Sequence, residues 1–264
     1  MEGSARKEVR LGGWIELSAI DWPGNLTFML FLSGCNLACP FCQNRRLIPL
    51  ESGALYSLED VEAKILKSLQ LLDALGFGGG EPTLQQEALE ELALWAKGKG
   101  LKVFIETNGT RPEVLRKLLN SKLLSYVAID VKAPFRNEDY GVATGKPSMA
   151  PKVIRSVKES LRLCALNQVP YEVRTTIVPG LTDREESISA ISEELAPLDP
   201  VYVLQQFIPS LEVPSPQLRE GAPISREILL KLARKAREKG ISKVFIRTRE
   251  HGLEGIDWDR SEGI

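Results

Sequence analysis

The sequence predicts an α/β protein built on parallel strands, and three observations carry that expectation. Short runs rich in aliphatic and aromatic residues recur at 26–32, 72–77, 102–106, 126–131, 172–178, 201–207 and 243–247. They are near-continuously apolar rather than alternating, as strands covered on both faces should be. Longer amphipathic stretches separate them. Repeated strand–helix units of this length imply right-handed crossovers, hence a barrel or an open doubly wound sheet.

The helical patterns follow in order. Ser57-Leu58-Glu59-Asp60 resembles a capping box, and Val61, Ile65 and Leu69 follow at four-residue intervals. Thr182 with Glu185 repeats the signature ahead of Ile188, Ile191 and Leu195. Residues 228–239 place Ile228, Leu229, Leu232 and Ala236 on one face, and Gly240 supplies a stop. Four prolines mark 209–223 as a long loop, and the polar residues after about Thr248 are expected to form a tail. No Pro/Gly/Ser-rich linker divides the chain. Residues 1–264 therefore read as one domain, with a core at about 12–248 and a polar tail at 249–264.

Composition narrows the class. At 43 % hydrophobic residues the 264-residue chain can bury a substantial core, which a disordered chain cannot. Thirty-four Lys and Arg against 35 Asp and Glu leave a net charge of -1, which gives no reason to expect a nucleic-acid partner. The first ten residues are charged and lack a signal-peptide apolar run. The most apolar stretch, 26–32, is far too short to cross a bilayer. A soluble cytoplasmic protein is the expectation.

Four cysteines, three of them within eight residues, do not look like a disulfide framework; such spacing reads as metal binding or redox chemistry. Cys35, Cys39 and Cys42 form a C-x3-C-x2-C loop directly after the first apolar run. Such a loop can wrap a cuboid iron–sulfur cluster, but supplies three thiolates where an electron-transfer centre has four. One iron would stay open to a non-protein ligand. A structural zinc site needs four closed ligands, and the only histidine, His251, lies in the tail. Three ordinary buried cysteines are a further alternative. Cys164, in a helical run, reads as a small core residue.

Polar residues then gather where strands end. Gly78-Gly79-Gly80-Glu81-Pro82 closes the second apolar run, Glu106-Thr107-Asn108-Gly109 the third and Asp130-Val131-Lys132 the fourth. Singly, each reads as a Gly-rich turn, loop solvation or a surface ion pair. Together they sit at the carboxyl ends of parallel strands, where barrels and open sheets build their sites.

The cysteine loop with aromatic Phe41 before its third thiol resembles the signature of the radical S-adenosylmethionine (SAM) superfamily. The Gly79-Gly80-Glu81 stretch is similar to that superfamily's GGE motif. Glu106-Thr107-Asn108-Gly109 followed by Asp130-Val131-Lys132, and the opening Ile20-Asp21-Trp22-Pro23-Gly24, resemble the glycyl-radical-enzyme activating enzymes. That group includes activators of pyruvate formate-lyase and of anaerobic ribonucleotide reductase. The resemblance spans roughly 12–209 and implies a partial (β/α)6 TIM-like barrel of the radical SAM type.

It also implies a site. One [4Fe–4S] cluster would rest on Cys35, Cys39 and Cys42, with SAM chelating the open iron. Phe41, Gly79, Gly80, Glu81, Thr107, Asn108, Asp130, Lys132, Arg174 and Gln206 would contact SAM. Glu106, Thr107 and Asp130 could hold a monovalent cation. The implied activity is reductive cleavage of SAM to a 5′-deoxyadenosyl radical that takes the Cα hydrogen of a glycine in a partner glycyl radical enzyme. A flavodoxin or ferredoxin would supply the electron. The alternatives are action on a small molecule or modified nucleoside, and a non-catalytic electron carrier, which the missing fourth ligand disfavours. Three positions depart from the activators: Gln43 stands where they often carry His, Glu106 replaces the commoner Asp, and Gln206 falls where some place a SAM-contacting His.

Overall fold

A computed structural model describes residues 7–167 and 169–256. Strands β1 (Glu8–Ser18) and β2 (Thr27–Leu32) pair antiparallel, with β3 (Ala54–Ser57) on the outer side of β1. From β2 the sheet continues in parallel through β4 (Ala74–Gly79), β5 (Lys102–Thr107), β6 (Tyr126–Asp130), β7 (Tyr171–Ile177), β8 (Val201–Gln206) and β9 (Lys243–Thr248). Strand β10 (Gly252–Gly255) runs antiparallel to β9, giving one ten-stranded sheet whose end strands, β3 and β10, do not pair with each other.

The crossovers carry α1 (Leu58–Leu66), α2 (Gln86–Gly98), α3 (Pro112–Asn120), α4 (Asn137–Thr144), α5 (Ala150–Asn167), α6 (Glu185–Leu195), α7 (Pro216–Arg219) and α8 (Arg226–Glu238). All seven apolar runs read from the sequence are parallel strands, one more than a six-stranded barrel core. Neighbouring strands lie roughly 4.8 Å apart, so a flat array would hold β2 and β9 about 29 Å from each other. Instead residues of β2, β4, β5, β6, β7, β8 and β9 all line one cavity. The sheet therefore curls into a partial barrel, open between its unpaired edges.

Strand alternation divides the side chains between two cores. Val103, Ile105, Val127, Ile129, Val173, Tyr202 and Leu204 face the helices in the large core. On the inner face, Met29, Phe104 and Ala128 form a smaller cluster with Trp22, Phe31 and Tyr126. Trp22 stacks on Tyr126 at 5.2 Å between centroids and tilts against Phe104 at 5.7 Å. Gly76 makes this floor possible, since a Cβ there would lie 2.1 Å from the Met29 sulfur.

Several local expectations change. Ser57 caps α1 by accepting the Asp60 amide at 3.1 Å, but α1 stops at Leu66, and Leu69 falls in a separate 3-10 turn. Thr182 is no helix cap: its hydroxyl accepts from the Val178 amide at 2.8 Å and donates to the Thr176 carbonyl at 2.8 Å, bracing the turn after β7. Ile228 is half out of the apolar face of α8, which buries Leu229, Leu232, Ala233 and Ala236. The proline-rich stretch contains α7 and buries Val213. Residues 249–256 hold a turn and β10 rather than a plain tail, and 257–264 lie outside the described residues. Cys164 is fully buried in α5, as a core residue should be.

The floor predicts a measurable cost. Phe104→Ala should lower stability by about 3–5 kcal/mol, as for other fully buried aromatics, read from the urea midpoint. A cost below about 1 kcal/mol would show that the inner cluster is loosely packed.

Candidate active site

The cysteine loop leaves β2 and is fastened on several sides. The Gly34 and Cys35 amides donate to the Leu47 and Ile48 carbonyls at 2.8 and 2.9 Å. The Ala38 amide donates to the Thr144 carbonyl at 2.9 Å, and the Ser215 amide to the Pro40 carbonyl at 3.1 Å. The Asn36 amide reaches the Thr110 hydroxyl at 2.7 Å, and Gln43 donates to the Ile208 carbonyl at 2.6 Å. A chain with few regular bonds of its own is thus held by the 3-10 turn that follows it, α4, the β5 loop and the proline-rich loop.

Two glycines of the second motif earn their place through backbone contact. The Gly80 amide donates to the Leu32 carbonyl at 2.9 Å, and the Glu81 amide to the Gly34 carbonyl at 2.7 Å. A Cβ on Gly80 would stand 2.1 Å from the Gly34 carbonyl oxygen, and Gly79 adopts φ +107° with Leu32 backbone 2.7 Å from its missing Cβ. No side chain fits between these segments.

The cavity at the carboxyl ends of the strands encloses about 330 Å³. Cys35, Cys39, Cys42, Phe41, Gly79, Gly80, Thr107, Asn108, Asp130, Lys132 and Arg174, all singled out from sequence, line it, and so does Glu106. Two predicted contacts are placed elsewhere. Glu81 is fully buried, its carboxylate accepting from the Thr83 and Thr107 hydroxyls at 2.5 and 2.8 Å and the Asn108 amide at 2.7 Å. Burial lifts its pKa, against the pull of those donors. Its side chain ties the β4 and β5 ends together instead of offering a carboxylate to a ligand. Gln206 donates to the Ile224 carbonyl at 2.7 Å and accepts from the Arg249 amide at 2.9 Å, whereas its neighbour Gln205 lines the cavity. The two differ by one step of strand alternation.

The expected cation ligands are each engaged. Glu106 pairs with Arg174, the Thr107 hydroxyl donates to Glu81, and Asp130 holds Lys132 at 2.9 Å. Glutamate reaches one methylene farther than aspartate, and here it spans from β5 to the β7 guanidinium. Arg174 also pairs with Glu172 and donates to the Asp21 carbonyl at 3.2 Å. Burial opposes its charge, but Glu106 and Glu172 outweigh it and keep Arg174 protonated. Burial likewise opposes the charge of Lys132, and the paired carboxylate of Asp130 outweighs it.

Burial pushes the Cys35 thiol up to about 11 and the Cys39 thiol up to about 12, and raises Cys42 as well. Burial outweighs the pull of Lys132 on all three thiols and keeps them protonated, so a positively charged inorganic centre is the group that would ionise them. Among the described residues, no three His, Cys, Asp or Glu side chains close around a single-ion site. The thiols instead share the margin of a larger cavity, which suits a cluster and not a tetrahedral zinc.

The sequence profile described as the radical SAM superfamily matches residues 29–190. This chain belongs to the radical SAM superfamily. A Methanocaldococcus jannaschii protein, provisionally named a glycyl-radical enzyme activating enzyme, is 37 % identical over 238 residues, covering 90 % of this chain and 95 % of its own. The pyruvate formate-lyase-activating enzyme of Listeria monocytogenes is 28 % identical over 186 residues, covering 67 % of this chain and 72 % of its own. A solved radical SAM methyltransferase from Sphaerobacter thermophilus shares the fold at TM-score 0.67 and 15 % identity, over 86 % of this chain and 67 % of that one.

As a radical SAM enzyme, the protein takes a [4Fe–4S] cluster and SAM as cofactors. The donor set fits them: three thiols on a strapped loop, Cys39 buried and Cys35 and Cys42 half-buried, with glycine backbone beside it and Lys132 paired to Asp130 at the same cavity. Sequence reading passed over Asp21, Thr176, Gln205 and Arg247 as cavity residues. For Thr176, Gln205 and Arg247 the signal is polarity at inward positions of apolar strands, legible only once the parity of each strand is known; Asp21 lies in the loop between β1 and β2.

Replacing Cys35, Cys39 or Cys42 by Ala should abolish iron and sulfide retention after anaerobic reconstitution, while Cys164→Ala should keep full iron content. Gly80→Ala should also lose most of its cluster although no ligand is removed, because a methyl cannot enter the 2.1 Å gap to Gly34. Wild-type iron content in that variant would contradict the backbone contact.

Proposed function

We propose that this radical SAM enzyme installs a glycyl radical on a partner enzyme, of the anaerobic ribonucleotide reductase or pyruvate formate-lyase type, working in the cytoplasm as a single domain. The observation that carries the reading is the near full-length, 37 % identity to the archaeal relative named for that activity. The geometry supports it. A cavity of about 330 Å³ is at the lower end of ligand pockets, and the sheet stays open between β3 and β10. A second reactant carried on an extended protein loop would enter from that open side.

When bound, the reduced cluster would supply one electron for reductive cleavage of SAM, which in turn would supply the group that takes a hydrogen atom from the substrate. The protein's part is positional. Cys35, Cys39 and Cys42 would hold the cluster, and the Gly79–Gly80 backbone would seat the methionine end of SAM. Asp130 and Lys132 would flank the same end, and Thr107 and Asn108 would shape its wall. Phe41, buried within the cysteine loop, would pack near the adenine. Arg174, locked between Glu106 and Glu172, contributes a fixed positive charge where the sequence suggested a cation. Hydrogen-atom abstraction needs no general acid or base, consistent with a site without histidine. A flavodoxin or ferredoxin would deliver the electron.

Anaerobic holoenzyme, SAM and a reductant should yield 5′-deoxyadenosine, and adding a glycyl radical enzyme from the same genome should produce the EPR doublet of a Cα radical. 5′-Deoxyadenosine without that doublet, together with turnover stimulated by a small molecule, would overturn the partner assignment. Within the site, Arg174→Met should cost about 3–5 kcal/mol of stability by leaving the buried Glu172 and the partly buried Glu106 without their cation, read from chemical unfolding at neutral pH.

A further inference from the structure

The charges around the cavity divide into two groups. On β5 to β7 they are matched: Lys132 with Asp130, and Arg174 with Glu106 and Glu172. Beside the Arg174 pairs stands a row with no partners. Thr176, Gln205 and Arg247 are successive register neighbours on β7, β8 and β9, since Thr176 pairs with Gln205 and Gln205 with Arg247. All three line the cavity. Among the described residues none of their side chains makes a hydrogen bond, and one terminal nitrogen of Arg247 is fully buried without an acceptor.

A guanidinium in that position is costly unless a ligand completes it. Burial and the like charge of Arg174 both act against it, and the nearby carboxylates of Glu172 and Glu106 are already taken by Arg174. Asp21, the remaining acid nearby, accepts from the Ser18 hydroxyl. The planar fork of arginine matches a carboxylate, and the neighbouring amide and hydroxyl add donors at the same level of the barrel. The anion cannot be that of SAM if its methionine end sits beside Gly79, Gly80 and the thiols. The cysteine loop follows β2, whereas this row lies on β7 to β9, the other end of the parallel array.

We propose that Thr176, Gln205 and Arg247 form a receptor for a carboxylate carried by the hydrogen donor. This deepens the reading above and rests on it for the position of SAM. For a protein substrate the carboxylate is an acidic side chain flanking the target glycine; for a small molecule it is an acid group of the substrate itself. Gln205 and Arg247 lie beyond the segment matched by the superfamily profile, as residues that tune substrate choice rather than shared chemistry should.

The test is calorimetric titration of anaerobic holoenzyme with SAM bound. One probe pair is acetyl-Ala-Ala-Asp-Gly-Asp-Ala-Ala-amide and its Asn isostere; the other is glutarate and glutaramide. The Asp peptide should bind at least tenfold more tightly than the Asn peptide. Arg247→Met should erase that preference, and Arg247→Lys should restore part of it, with iron content and unfolding midpoint reporting that each variant is folded. Arg247-dependent preference for glutarate alone would keep the carboxylate receptor and overturn the glycyl-radical reading. Absence of any carboxylate preference, or a preference that survives Arg247→Met, would overturn the receptor.

Discussion

Two backbone segments that meet with no side chain between them hold this site together. The cysteine loop takes its course because Gly34 lies against Gly80, and the spacing admits hydrogen only. From that contact the rest follows in order. The amides of Gly80 and Glu81 bind Leu32 and Gly34, which fixes where the loop leaves β2. Glu81, turned inward, then gathers Thr83, Thr107 and Asn108, so the ends of β4 and β5 are set relative to the thiols. Asn108 reaches on to Asn36 at 3.0 Å within the cysteine loop itself. A motif first read as a ligand contact is equally the clamp that gives the ligand loop its shape.

The electrostatics of the cavity obey the same economy. Buried charge survives where it is matched, and the matched pairs sit on β5 to β7. Arg174 is the hub, reaching Glu106 on β5, Glu172 on its own strand and the backbone before β2. That network crosses the interior of the partial barrel and braces its curl. Beside it, the row on β7 to β9 keeps its donors free of hydrogen bonds among the described residues. A division between a satisfied side and an unsatisfied side is what an enzyme with one invariant cofactor and one specific substrate would need.

The strands were legible in the sequence because each is an apolar run long enough to stand out, and all seven parallel strands were recognised. The cysteine loop and the strand-end polar groups were legible for the same reason: they interrupt those runs at their carboxyl ends. Strand β1 was not, because Gly12 and Gly13 and a register shift between Leu11 and Gly13 break its alternation. Strand β10 was missed because a four-residue edge strand has too few residues to show a pattern. Within the site, Gln205 and Gln206 are indistinguishable by composition, and only the parity of β8 decides which faces the cavity. The engagement of Glu106 with Arg174 depends on two residues 68 positions apart, a distance at which sequence carries residue types but not their meeting.

The central claim is that three thiolates leave one iron of the cluster open for SAM. Electron–nuclear double resonance on the reduced holoenzyme, with SAM labelled by 15N at its amino group and 17O at its carboxylate, tests it most directly. The predicted result is hyperfine coupling of both labels to the cluster. Uncoupled labels on a cluster that has bound SAM would contradict the open-iron assignment.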